Sequence, residues 1–153
     1  NINPVISCGS IMKSSQAEVF GFANPLLGLI GFAVIITIGM AILAGAKFKR
    51  WFWLGLEAGT ILGLIFVHWL ISQSLYVIGA LCPYCMVVWT VTIPIFFYTT
   101  LYNLKEGNIK APKALRGIAD DIQRYHATIL FLWYAAIVVA ILIRFWYYWR
   151  TLI

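Results

Sequence analysis

Apolar residues along this chain run in long unbroken stretches instead of alternating with polar ones, and four stretches are long enough to cross a bilayer. The first extends from about Pro25 to Ala46 and stops at the basic cluster Lys47, Lys49 and Arg50. The second runs from about Trp51 to Ser72, the third from about Cys82 to Tyr102, and the fourth from about Ala127 to Trp149. At a rise of ~1.5 Å per residue, each covers a hydrocarbon core of ~30 Å as a single helix. The interval from Trp51 to Tyr102 is too long for one crossing, so it must turn, and Ser72, Gln73, Ser74 and Gly79 are the positions available. Pro83 suits the first turn of the helix that follows, where its missing N–H is not needed, and Pro94 predicts a kink deeper in. Gly55, Gly59 and Gly63 recur every fourth residue, a small-residue stripe that predicts close helix packing. Residues 1–24 carry no spanning run and read as an outer loop, with a short amphipathic helix around Ile11–Phe20 resting on the membrane. The expected fold is therefore all-α: a transmembrane helical bundle over residues 25–153 with a loop at one end.

Composition removes the soluble alternative. The chain is 63% hydrophobic and 10% charged, whereas soluble domains carry about 25% charged residues. Its mean hydropathy is +0.91. The net charge of +6 does not mark a nucleic-acid binder, because the cations gather in two segments flanking apolar runs. One is Lys47, Lys49 and Arg50; the other holds Lys105, Lys110, Lys113, Arg116 and Arg124 against Glu106, Asp120 and Asp121. Two crossings separate these segments, so both lie on one face, which the positive-inside rule makes cytoplasmic. Residues 1–24, the Ser72–Leu81 turn and the C-terminus then share the opposite face, and with them Cys8, Cys82 and Cys85. The expected location is the inner (plasma) membrane, multi-pass, with the cysteines on the periplasmic side, where disulfides persist.

The chemistry centres on Cys82-Pro83-Tyr84-Cys85. Two cysteines at this spacing can close a small disulfide, and a helix N-terminus favours the thiolate, the attacking form. A structural disulfide, half a metal site and two incidental buried thiols are the other readings of the same four residues. A metal is not expected, since no second such motif exists, His68 lies alone in its span and His126 falls on the opposite face. Cys8 is an odd cysteine in an oxidising compartment, either reactive or paired with a thiol outside this chain. A loop folded over the start of the third span would let it exchange with Cys82. Within the spans, Glu57 is expected to reach the interface or pair with a nearby Lys, His68 to take an interfacial or packing role, and Arg144 to snorkel.

The run Asn3-Pro4-Val5-Ile6-Ser7-Cys8-Gly9-Ser10, then Ser14, Asn24 and the late Cys82-Pro83-Tyr84-Cys85, resembles a bacterial-type membrane member of the vitamin K epoxide reductase family over essentially the whole chain. The resemblance implies a bundle of four transmembrane helices around a quinone of ubiquinone, menaquinone or vitamin K type. It also implies a thioredoxin-like protein or domain as the thiol partner, which the enzyme oxidises while passing electrons to the quinone in support of disulfide bond formation. By the same resemblance, Cys85 faces the quinone, Cys82 pairs with it, and Cys8 is the loop cysteine that shuttles electrons to Cys82. Ser14 takes the family's loop serine position, Asn24 donates a hydrogen bond to a quinone carbonyl, and Met12 and Trp89 lie against the ring.

The sequence departs from the family pattern at its start. The family's first loop cysteine would fall immediately before Asn1 and its first helix earlier still, so the chain reads as beginning inside a longer protein. No thioredoxin-like domain follows Ile153 within the sequence. Two other functions fit the same residues: a quinone epoxide reductase running these thiols in the reductive direction, and a non-catalytic membrane subunit in which Cys82 and Cys85 form a structural clamp.

Overall fold

The computed structural model describes residues 5–19, 21–109, 117 and 121–150. Asn3, Pro4, Phe20, Lys110, Lys113, Arg116 and Asp120, singled out above, lie outside the described residues. A short helix α1 (Cys8–Met12) and a single 3-10 turn (Ser15–Glu18) precede the long helices α2 (Asn24–Leu43), α3 (Arg50–Ser72), α4 (Pro83–Lys105) and α5 (His126–Arg144). A further turn, α6 (Trp146–Trp149), follows. The four long helices are long and apolar enough to cross a membrane, and the described residues form no strand beyond one isolated bridge. The protein is an all-α membrane bundle.

The described part of the expected helix, residues 11–19, does not form one continuous helix. Ser14 takes an extended conformation, and its Oγ donates to the Ile11 carbonyl at 2.6 Å, closing α1 with a side chain instead of a continued helix. The turn after α3 also differs from expectation. Ser72 stays helical, with its Oγ on the Trp69 carbonyl at 2.7 Å, and the chain widens into a π-helical segment, Gln73–Ile78. Only Gly79 leaves the helix, at φ 68°, a conformation that favours glycine, and its N–H reaches back to the Ser74 carbonyl at 3.0 Å.

In lipid, polar groups must find partners within the protein, and those partners explain how the helices are held. Glu57 neither reaches the interface nor pairs with a lysine: it is 6% exposed and faces α4. Its Oε1 accepts from Thr100 Oγ1 at 2.6 Å and its Oε2 from the buried Asn103 Nδ2 at 3.0 Å. Asn103 Oδ1 accepts in turn from Asn108, whose carbonyl takes Arg50 Nε at 2.7 Å. The chain of bonds brings the start of α3 and the end of α4 together, so Arg50 and Lys105 lie at the same end of the bundle. The glycine stripe plays no such part. A Cβ at Gly55 or Gly59 would meet open space, and at Gly63 only Thr92 Cγ2 at 3.8 Å, because α3 meets α4 through the face bearing Glu57, Thr60, Val67 and Ile71.

Two side-chain bonds tie the middle of helix α5 to its neighbours. His68 Nδ1 donates to the Leu64 carbonyl at 2.9 Å, which leaves Nε2 to accept from Trp133 Nε1 at 3.1 Å. Pro94, inside α4, has no N–H to offer the carbonyl of Thr90 four residues earlier. Tyr134 of α5 supplies the missing donor, with its hydroxyl 2.7 Å from that carbonyl. Helix α2 buries none of its residues within the chain, consistent with a helix apolar all round whose surroundings are lipid.

The Pro94–Tyr134 relation predicts a coupled pair. Tyr134→Phe strands the Thr90 carbonyl and lowers stability in detergent by about 1–3 kcal/mol. The same change made in a Pro94→Ala background, where the backbone N–H is restored, has less than half that effect. Equal losses in both backgrounds, measured by reversible denaturation as a double-mutant cycle, contradict the assignment.

Candidate functional site

The site is assembled by a pairing of extended backbone only one bridge long. Leu81 N–H donates to the Val5 carbonyl at 2.7 Å, and Ser7 N–H donates to the Leu81 carbonyl at 2.9 Å, a parallel bridge centred on Ile6 and Leu81. Val5 and Leu81 anchor this pairing in a core with Val67, Ile71, Leu75, Trp89, Ile141 and Phe145, drawn from α3, α4, α5 and the chain that links them. Directly after the bridge each segment turns into a helix, and each turn carries a cysteine. Ser7 caps α1, its Oγ accepting from Ser10 N–H at 3.3 Å, so Cys8 is the first residue of that helix. Cys82 occupies the capping position of α4, with Pro83 next and Cys85 one turn in, packed against the core.

The three thiols are free and connected in order. The titration of Cys82 responds to Cys8 on one side and to Cys85 on the other. Cys82 is only 3% exposed, whereas Cys8 is partly open. Burial pushes the Cys82 thiol up, but the Cys8 thiol, the backbone N–H groups of Cys85 and Tyr84 and the Cys85 thiol outweigh it, and its pKa falls below the usual 9.0. Those N–H groups approach the sulfur without completing a cap hydrogen bond. Cys8 moves the other way: its hydrogen bond to Cys82, then burial, then the charge on Cys82 raise it above 9.0. Of the two thiols outside the membrane helices, the inner one is the better thiolate and leaving group, and the outer one is the accessible sulfur.

The remaining sequence-derived positions separate. Trp89, one turn beyond Cys85, is 4% exposed and belongs to the same core. Its Nε1 is the one fully buried side-chain polar atom among the described residues that has no hydrogen-bond partner. Asn24 is engaged in the loop, donating through Nδ2 to the Gln16 carbonyl at 2.6 Å and accepting through Oδ1 from Val19 N–H at 3.3 Å. Ser14 is likewise occupied with the end of α1, and Met12 is 66% exposed, pointing away from the core. Arg144, expected to snorkel, donates through Nε to the Leu75 carbonyl at 2.8 Å and fastens the π-helical segment that leads to Leu81. Val5, Leu81 and Arg144 were not legible as site residues, because they contribute backbone groups and a tether instead of reactive atoms. Among the described residues no three His, Cys, Asp or Glu side chains gather as a metal site.

Residues 1–100 match the model of the Vitamin K epoxide reductase family. The chain belongs to that family. The match takes in the bridge, all three cysteines and α1 to α3, and it runs most of the way along α4. As a vitamin K epoxide reductase family member, the chain is a multi-pass membrane oxidoreductase, of a family whose redox chemistry is linked to quinones. No individual curated protein and no solved structure matches it significantly.

The thiol order gives a pH prediction. The Cys8 thiol is the largest influence lowering the Cys82 pKa, so Cys8→Ala raises it, and the thiolate absorbance of Cys82 appears at higher pH than in the unaltered protein. An unchanged or earlier onset in Cys8→Ala contradicts the proposed contact.

Proposed function

We propose that this protein oxidises a thioredoxin-like dithiol partner and passes the electrons through Cys8, Cys82 and Cys85 to a membrane quinone, supporting disulfide bond formation. The observation that carries the reading is the placement of Cys82 between Cys8 and Cys85, imposed by the Ile6–Leu81 bridge. Starting from a Cys8–Cys82 disulfide, a partner thiolate attacks the accessible Cys8 sulfur and expels Cys82, the better leaving group. The partner's second thiol attacks the partner sulfur of that mixed disulfide, so the partner departs oxidised and Cys8 returns as a thiol. The quinone then takes two electrons and two protons from Cys82 and Cys85, giving quinol and a Cys82–Cys85 disulfide. Attack of Cys8 on Cys82 releases Cys85 and restores the starting state.

Three features support the quinone as acceptor. Cys85 faces the apolar core from which a lipid-soluble ring can be approached. Trp89 Nε1, beside it in that core, has a donor to give to a carbonyl oxygen. Asn24 retains a second amide hydrogen beyond the one it spends on Gln16. Met12 and Ser14 complete the proposed quinone surroundings from the loop. We read the basic end that unites Arg50 and Lys105 as cytoplasmic and the cysteine end as facing the periplasm of an inner membrane, where thioredoxin-like partners meet oxidising conditions.

The test is quinone reduction by the purified protein supplied with a reduced thioredoxin-like donor. Turnover in the unaltered protein, with Cys85→Ala at the rate seen without protein, is the expected outcome. Turnover that survives Cys85→Ala, or none in a folded protein across ubiquinone, menaquinone and vitamin K, sinks the relay. Reduction of a quinone epoxide with consumption of donor thiols, in place of quinol formation, assigns the reductive direction instead.

A further inference from the structure

At the end of the bundle away from the cysteines, the last two turns of α4 and the start of α5 leave an open cleft of about 300 Å³. It is lined by Tyr98, Leu101, Tyr102, Lys105, Gln123 and His126. Cys82 and Lys105 stand at opposite ends of a helix whose 23 residues rise about 34 Å, so the cleft and the thiols occupy opposite membrane interfaces. The cleft is graded along the helix axis. Leu101 and Tyr98 lie toward the bilayer interior, while Lys105 is exposed in the final turn. His126 Nδ1 donates to the Gln123 carbonyl at 2.8 Å, which leaves Nε2 as the nitrogen for another group. The Tyr98 ring meets the His126 ring edge-on at 6.0 Å and forms one wall. Among the described residues that line the cleft there is no carboxylate, and these residues present one cation, an amide and a ring nitrogen above an apolar floor.

We propose that this cleft is a binding site for an anionic phospholipid with a hydroxylated headgroup, of the phosphatidylglycerol class. The phosphate meets Lys105, a headgroup hydroxyl donates to His126 Nε2, the Gln123 amide serves the remaining oxygens, and an acyl chain runs over Leu101 and Tyr98. A basic pocket between transmembrane helices at an interface is the arrangement such headgroups occupy. The tyrosines sit at the depth where aromatic side chains favour the headgroup boundary. This assignment stands apart from the redox reading, since none of its residues touches the thiols.

The test uses the full chain in phosphatidylcholine bilayers containing a small fraction of spin-labelled phosphatidylglycerol, with labelled phosphatidylcholine as reference. The unaltered protein immobilises the anionic label about fivefold more strongly than the neutral one, the factor attached to one lysine at an anionic surface. Lys105→Gln with His126→Ala brings that preference close to unity, and Lys105→Glu, an exposed charge reversal, does so alone. Lys105→Arg retains it, and so does Lys47→Gln with Lys49→Gln, which removes charge elsewhere. The proposal is overturned if the preference persists in both Lys105→Glu and the double variant, or disappears with the Lys47 and Lys49 changes. Displacement of the label by inorganic phosphate would mark a free-anion site and overturn it equally.

Discussion

Two backbone hydrogen bonds, Leu81 N–H to Val5 and Ser7 N–H to Leu81, decide what this protein can do with its sulfur atoms. A cysteine in a loop has no fixed partner until the loop has a fixed register. One bridge supplies that register because Val5 and Leu81 are among the most deeply buried side chains in the molecule, so slipping by a residue would expose both. Once Ile6 and Leu81 are paired, the helix starts that follow place Cys8 against Cys82, and the α4 backbone places Cys85 one turn inside. The π-helical segment held by Arg144, and the left-handed Gly79 that ends it, deliver Leu81 to the pairing.

The membrane explains the rest of the framework. Burial of apolar side chains does little to join helices already dissolved in lipid, so polar contacts carry the association. They recur at two levels: Glu57 with Thr100 and Asn103 near one end, and, from consecutive residues of α5, Trp133 with His68 and Tyr134 with the carbonyl freed by Pro94. Each satisfies a group that lipid would leave unpaired. Bonds between adjacent helices thus brace both ends of α4, and the cysteine motif begins at its start.

The sequence made the membrane fold plain, because apolar runs of spanning length have few other meanings. The cysteine motif, its position at a helix start and the family were legible for a similar reason: they depend on local spacing. Features that depend on which helix face meets which neighbour were not. Glu57 read as an interface residue because its partners, Thr100 and Asn103, lie more than forty positions away. The glycine stripe read as a packing seam, yet only Gly63 of it comes near α4, and Gly55 and Gly59 face open space. Ser72 to Ser74 read as a turn, but their hydroxyls are compatible with a helix that widens before it stops. An exchange between Cys8 and Cys82 was expected, but the bridge of one residue pair that brings their segments together is too short to leave a strand pattern in the sequence.

The central claim, that the bridge holds Cys8 within exchange distance of Cys82, is tested most directly by disulfide mapping. In Cys85→Ala, Cys8 and Cys82 are the two cysteines left in this sequence. Mild oxidation of that variant in bilayers, followed by proteolysis and mass spectrometry, should yield one intramolecular peptide pair joining Cys8 to Cys82 in most molecules. Two free thiols, or cross-links formed only between separate chains, would contradict the account.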